Sequence, residues 1–304
     1  MRALITGATG FVGRHLSRRF KDLSVLTRRP DAAAALLRHA TAFQWAPESE
    51  PAPVAALRGT DAVFHLAGEP VSASRWTPDV KRRIRESRVT ATRNLVAGLA
   101  ALSERPAVLV CASAVGYYGN RGDEPLDEKS SAGTGFLAGV CEEWEREALA
   151  AAALGMRVAC VRLGIVLAAR GGALGRMLPM FRLGLGGRLG RGLQWMPWIH
   201  VEDVVELMIH VAESDRVAGP VNAVAPQAVT NSEFTAALAH AVSRPALLPV
   251  PEIALRLTLG EVSEVLLASQ RVFPGVALAS GYRFRHPKLV PALEAIAQAD
   301  AATP

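Results

Sequence analysis

The sequence predicts an α/β fold, a doubly wound parallel sheet followed by a smaller C-terminal lobe, and three observations carry that reading. The chain opens on an apolar run, Ala3, Leu4 and Ile5, that stops at Gly7, and from Phe11 onward Phe11, Val12, Leu16 and Phe20 recur at helical spacing. Short apolar runs then alternate with helical patterns along the first half of the chain, as expected for successive β-α-β units. At 304 residues, half of them apolar, the chain can bury a large domain and an appendage without staples.

The opening turn carries Gly7, Gly10 and Gly13. In a strand-turn-helix unit the first glycine lets the backbone turn, the second lets it approach a pyrophosphate, and the third lets the helix pack closely on the strand. A diphosphate would lie over the free N–H groups and positive dipole end of the new helix, with Thr9, Gly10, Phe11 and Val12 around it. The second strand, Leu23 to Leu26, runs into Thr27-Arg28-Arg29-Pro30. At that strand end an acidic residue selects a free ribose 2′-hydroxyl, whereas arginine accommodates a 2′-phosphate. Two arginines and no acid predict NADP(H) rather than NAD(H).

Composition narrows the class further. Cys111, Cys141 and Cys160 sit inside apolar or helical runs without metal-ligand spacing, which argues against a metal site and a disulfide framework and fits a reducing cytoplasm. No signal-peptide pattern and no run of membrane-spanning length is visible, so a soluble protein with no membrane partner is expected. The net charge of +6 is spread over many segments, and only Lys81-Arg82-Arg83, Arg85 and Arg88 form a dense cluster. A solvated helix face or a site for anionic groups explains that cluster better than nucleic acid does.

Further along, Ala32 to Arg38 reads as a short helix, Thr41 to Trp45 as a weak strand, and Asp61 to Gly68 as a buried strand ending in glycine. Thr77-Pro78 has the form of an N-cap and first-turn proline, opening one long helix through about Leu102. Ala107 to Ala112 is another buried strand, with Ser113, Tyr117 and Tyr118 at its carboxyl end, where ligands of doubly wound sheets sit. Gly155 to Ala168 supplies the next strand. From Gly171 the density of glycine predicts a flexible loop, in which Arg182, Arg188 and Arg191 would suit an anionic small-molecule substrate. Thr230-Asn-Ser-Glu233 is a capping box opening a helix to Val242. The dinucleotide-binding core is expected over residues 1–170, with a return from about 195–225, and the substrate lobe over residues 171–304.

The spacing Gly7-x-x-Gly10-x-x-Gly13 within T-G-A-T-G-F-V-G resembles the extended branch of the short-chain dehydrogenase/reductase superfamily. The motifs R-W-T-x-x-x-K-x-R-I and F-R-L-G-L-G-G, with the tail from Pro249, resemble its subfamily of "epimerase family" proteins that end in a small domain of unknown function. The resemblance implies that Leu66, Ala67 and Gly68 pack against the cofactor, that Arg83 and Arg88 are phosphate or ribose contacts, and that Val166 lies beside the nicotinamide. It maps the family's catalytic serine onto Ser113. The family's Tyr-x-x-x-Lys pair is missing: Phe136 or Leu137 stands for the tyrosine and Val140 or Cys141 for the lysine, in a register left open by one residue. Tyr117 or Tyr118 is then the acid, and a tyrosine without lysine favours reduction over alcohol oxidation at neutral pH. Two function classes follow: an oxidoreductase or epimerase, with the homodimer left open as its assembly, or a noncatalytic NADP(H)-binding sensor module. Asp203, in Trp198-Ile-His-Val-Glu-Asp203, is read as structural, and His65 as a satisfied core histidine.

Overall fold

A computed structural model describes residues 1–72 and 74–301. Its centre is a sheet of seven strands, β1 (Ala3–Thr6), β2 (Leu23–Thr27), β3 (Ala40–Gln44), β4 (Ala62–His65), β5 (Val108–Ala114), β6 (Arg157–Leu163) and β7 (Gly219–Ala223). They lie in the order β3-β2-β1-β4-β5-β6-β7, and every pairing is parallel. The order reverses between β1 and β4, and the crevice at that switch point is where such sheets bind ligands. Side chains alternate along the strands. Ala3, Ile5, Phe64, Val110 and Val161 pack on one face with helices Phe11–Ser17 and Val201–Glu213, while Leu4, Val63, Leu109, Cys111 and Cys160 pack on the other with Val89–Ala100 and Phe136–Leu149.

Two elements differ from the sequence-based expectation. The single helix expected from Thr77 is two, Pro78–Glu86 and Val89–Ala100, broken at Ser87 and Arg88. The Ser87 hydroxyl donates to the Ile84 carbonyl and accepts the Glu69 amide, so a side chain competes with the helical hydrogen-bond ladder where the chain bends. The glycine-rich stretch after Gly171 contains a helix, Gly172–Arg182, rather than a loop alone. Leu174, Leu178 and Phe181 fall at helical spacing and are buried, and this apolar stripe outweighs the low helix propensity of the glycines.

The C-terminal segment is stitched onto the sheet at its ligand edge. Arg271–Val272 pairs with Pro125–Leu126, and Gln270 donates to the carbonyls of Val115 and Gly119 at 3.0 and 2.8 Å. The buried Asp203 carboxylate accepts the Tyr282 hydroxyl and the amides of Arg285 and His286 at 3.0, 2.7 and 2.9 Å. Asp203 is thus a loop anchor. The expected capping box is present in both halves, opening the helix Asn231–Ala241. No helix among the described residues is long and apolar enough to cross a membrane.

Candidate active site at the carboxyl edge of the sheet

The three glycines of the first turn are required for different reasons. Gly7 has φ +71°, and a Cβ there would lie 2.7 Å from the Leu66 carbonyl carbon, so the turn is seated against the end of β4. A Cβ at Gly13 would lie 2.1 Å from the Gly7 oxygen, so the helix packs on the turn only without a side chain. Gly10 is exposed, and no side chain caps the helix that follows it. Its amide is used within the turn, donating to the Gly7 oxygen at 2.9 Å. The first amides of Phe11–Ser17 face an open edge bordered by Thr9 and Gly10, a cradle of the right chemistry for a diphosphate.

The Leu66 and Ala67 backbone at the end of β4 lies against this turn. Ala67 donates its amide to the Thr6 hydroxyl, which also meets Nδ1 of the buried His65; His65 Nε2 meets Thr92. Burial pushes the His65 pKa down to about 4, so this histidine is a neutral strut. Val166 lies in a short strand, Ile165–Leu167, paired with Trp198–His200. The Gly171-Gly172 turn fits between the Val166 carbonyl and the Phe11 ring, where a Cβ on Gly172 would approach to 3.0 and 2.8 Å. Thr27 is half-buried and accepts the Arg29 amide. Arg28, Arg29 and Arg83 are exposed, and their side chains have no ion pair or hydrogen bond among the described residues. Their neighbours are paired: Lys81 with Glu261, Arg82 with Asp79 and Glu86, and Arg85 with Glu143.

Arg88 is set differently. Its guanidinium lies against Gly68, where a Cβ would meet Cζ at 3.1 Å, and over the Trp144 ring at 5.3 Å. Its hydrogen bonds run from Nη1 to the Ile84 carbonyl at 3.1 Å and the Ser87 hydroxyl at 3.5 Å.

The centre of the site is a rung of the sheet. Ser113, Arg162 and Asn222 are register neighbours on β5, β6 and β7. Glu145, from Phe136–Leu149, faces them. Its Oε1 accepts the Ser113 hydroxyl at 2.6 Å and Arg162 Nε at 2.8 Å, and its Oε2 accepts Arg162 Nη2 at 2.8 Å. Arg162 Nη1 donates to the Tyr118 hydroxyl at 2.9 Å, and that hydroxyl is 2.7 Å from Asn222 Oδ1. The Arg162 guanidinium also lies 3.5 Å from the centre of the half-buried Tyr117 ring. Burial opposes the Arg162 charge, but the hydrogen bonds and charge of Glu145 outweigh it and hold the Arg162 pKa above its ordinary value.

This geometry separates the two tyrosines. Tyr118 is fully buried, its hydroxyl is held by Arg162, Asn222 and the Asp127 carbonyl, and burial pushes its pKa up to about 12. Tyr117 is the one that keeps exposed surface, and no hydrogen bond among the described residues holds its hydroxyl. Ser113 differs from the expectation of a hydrogen-bond donor to substrate: its proton is directed to Glu145, so it presents lone pairs. Of the residues where the pair is missing, Leu137 packs beside Gly116, where a Cβ would lie 3.5 Å from it, and Cys141 is buried in the neighbourhood of Ser113 and the Ala114 backbone. Burial drives the Cys141 pKa up to about 11.

Glu145 and Arg162 escaped the sequence reading as site residues, although both left a signal. Glu145 lies on the buried stripe Cys141, Glu145, Ala148 of its helix, and Arg162 directly follows the buried apolar run Val158 to Val161 of its strand. Charged groups at such positions are buried only when paired. Where the strand Trp198–His200 runs into the helix Val201–Glu213, His200, Glu202 and His286 bring ligand atoms within 4.8 Å of one another. The His200 and His286 rings stack at 3.8 Å and Nδ1 of His200 accepts the Glu202 amide, which makes this cluster a docking contact of the C-terminal segment.

Comparison with known proteins identifies the family. The chain is 40% identical to the chloroplastic epimerase family protein SDR39U1 homolog of Arabidopsis thaliana, over 98% of this chain and 87% of the relative. It is 36% identical to the epimerase family protein YfhF of Bacillus subtilis, over 95% of each. The crystal structure of human epimerase family protein SDR39U1 with NADPH superposes with a TM-score of 0.87 at 32% identity, covering 98% of this chain and 99% of that one. Residues 250–296 match the domain of unknown function DUF1731. Residues 3–224 match the model of the NAD dependent epimerase/dehydratase family, and the chain belongs to that family.

Proposed function

We propose that this chain is an NADPH-binding carbonyl reductase of the epimerase/dehydratase family, with Tyr117 as the proton donor. The observation that carries the reading is the continuous array Ser113–Glu145–Arg162–Tyr117 at the carboxyl edge of β5 and β6. A buried acid and base would be costly here without a task or a partner, and this pair holds both candidate catalytic side chains at once. Thr9, Gly10, Phe11, Val12 and Gly13 would hold the diphosphate, Leu66, Ala67 and Gly68 the adenosine side, and Val166 the nicotinamide side. Thr27, Arg28 and Arg29 would surround the 2′-phosphate, and Arg83 lies free for an anionic group. NADPH is a hydride source. Tyr117 would deliver a proton to the reduced carbonyl oxygen, and Ser113, with its own proton on Glu145, would accept a hydrogen bond from the new hydroxyl. The exposed Arg188 and Arg191 suit a substrate with an anionic group, bound by residues of the 171–304 lobe.

The test is a panel of carbonyl compounds under saturating NADPH. Tyr117→Phe should lower kcat by about 10²–10⁴-fold, the usual worth of a positioned acid. Tyr118→Phe should act mainly on stability, since its hydroxyl is spent inside the protein. A turnover unaffected by both Tyr117→Phe and Ser113→Ala would place the chemistry elsewhere. Tight NADPH binding with no turnover across the panel would favour a cofactor-sensing module, for which Leu137 and Cys141 in place of an acid/base pair speak.

Cofactor choice is tested separately. Removing one charge-assisted phosphate contact costs about 1.5–3 kcal/mol. Arg28→Ala is therefore expected to weaken NADPH by about tenfold or more in calorimetry and to leave NADH nearly unchanged. Equal losses for the two cofactors would remove Arg28 from the 2′-phosphate site.

A further inference from the structure

Large apolar side chains are exposed unevenly over this chain. Of the fifteen that stand in solvent among the described residues, ten fall between Met180 and Leu266. Leu183 and Leu247 are 71% and 81% exposed, and Leu185, Leu193, Leu248 and Ile253 are exposed by 49–70%. Single leucines in water need no explanation, but a group of them on one surface marks an interaction site. Backbone contacts bring these into one group. The chain from Arg182 to Gly192 runs beside the chain from Arg244 to Ile253: Arg244 donates to the Arg182 carbonyl, and the Val250 backbone bonds to Arg188 and Gly190. A Cβ on Gly187 would overlap the Leu248 carbonyl. Residues 183–194 and 242–251 are two irregular loops laid side by side.

The same surface is basic. Arg182, Arg188, Arg191 and Arg244 are all exposed, and residues 180–193 and 242–251 contain no Asp or Glu. Arg188 and Arg191 have no ion pair or side-chain hydrogen bond among the described residues. Two acids at the border are spent within the chain: Glu252 pairs with Arg256, and Glu233 closes the cap at Thr230. Arg188 and Leu247 also border a cavity of about 400 Å³ lined by Thr235, Ala236 and Ala239, so this surface holds an apolar recess with a cation on its wall.

We infer that the face formed by residues 182–193 and 244–253 docks on an anionic lipid surface, with Leu183, Leu185, Leu247 and Leu248 entering the headgroup region and Arg188 and Arg191 pairing with phosphates. Exposed leucines among arginines suit that boundary, where apolar tips leave water and guanidinium groups meet negative charge. A second copy of the chain suits the face less well. An isologous contact repeats one patch on both subunits and would set these arginines against their own copies. Docking of this kind uses neither a spanning helix nor bound NADPH, so it stands apart from the lack of spanning helices and from the cofactor reading.

The experiment is co-sedimentation of the full chain with sucrose-loaded vesicles, made of phosphatidylcholine alone or with an equal part of phosphatidylglycerol, at low and high salt. Sedimentation velocity without lipid accompanies it. Wild type should bind the anionic vesicles about tenfold or more tighter than the neutral ones, and high salt should weaken that binding. Arg188→Gln/Arg191→Gln should bind roughly 25-fold more weakly, since each basic residue near an anionic surface is worth about fivefold. Leu247→Ser/Leu248→Ser should lose about tenfold or more while melting like wild type, because both side chains already stand in water. Leu36→Ser, at an exposed leucine outside the face, should bind as wild type does. Absence of binding to anionic vesicles would overturn the inference. So would wild-type binding in either double variant, which would leave only the general positive charge of the chain, or an equal loss in Leu36→Ser. A dimer that Leu247→Ser/Leu248→Ser dissolves, with no vesicle binding, would give the face to a second copy and overturn the lipid assignment.

Discussion

Arg162→Met is expected to destabilise the fold by about 3–5 kcal/mol, the usual cost of removing one partner from a buried ion pair. The Arg162 and Glu145 side chains are 3% and 8% exposed, and they meet through two parallel hydrogen bonds. Without the guanidinium the carboxylate keeps only the Ser113 hydroxyl, and the Tyr118 hydroxyl loses its donor. The melting temperature should fall by at least about 6 °C. Glu145→Leu should cost a similar amount, for it strands a buried cation beside the Tyr117 and Tyr118 rings. The double variant Glu145→Leu/Arg162→Met should be more stable than either single one, because no unpaired charge is left and two apolar side chains fill the space. Additive losses in that cycle would show that the two groups do not act as a pair.

Arg162→Lys separates charge from shape. An ammonium keeps the charge opposite Glu145 but cannot donate along the same fork, nor lie flat 3.5 Å from the Tyr117 ring centre. Stability should fall between that of wild type and Arg162→Met. Carbonyl reduction should drop further than stability does, since the Tyr117 ring has lost the plane it rests on. Unchanged kcat in Arg162→Lys would confine Arg162 to the core.

Most of the sheet was legible because its strands obey a local rule. β1, β2, β4, β5 and β6 are short apolar runs bounded by turn residues, and the glycine spacing after β1 announces a turn that only a strand and a helix can frame. The helix Gly172–Arg182 was hidden because its glycines argue for a loop, and its stripe of Leu174, Leu178 and Phe181 makes sense only against the helix Asn231–Ala241 and the C-terminal helix Leu289–Ala301. The break at Ser87 was hidden for a related reason. Nothing local separates it from a continuous helix; what decides it is the Glu69 amide, 18 residues away, arriving at the Ser87 hydroxyl. The glycine turn and the strand ends beside it follow from local pattern and could be placed from the sequence. The centre could not, because Ser113, Glu145, Arg162 and Asn222 meet through strand register, which a single sequence leaves unspecified.

Gly10→Val is expected to abolish NADPH binding, a loss of at least about 100-fold, while the apo protein melts close to wild type. The three glycines of the turn make this variant informative. A Cβ at Gly7 or Gly13 would lie under 3.0 Å from the chain's own backbone, so a side chain at either position damages the fold together with the site. A Cβ at Gly10 would have one near neighbour, the Gly7 oxygen at 3.1 Å, and Gly10 holds φ −73° and ψ 176°, which valine adopts readily. Its side chain would point into the space in front of the uncapped helix amides, where a diphosphate must come within hydrogen-bond distance. Fold and binding therefore part at Gly10 and coincide at its two neighbours. In thermal melts, wild type should gain stability with added NADPH and Gly10→Val should not, while Gly13→Val should already melt low without it. If Gly10→Val keeps the NADPH-induced shift of wild type, the diphosphate does not lie over this turn, and the assignments of Phe11, Val12 and Arg28 built from it fall together.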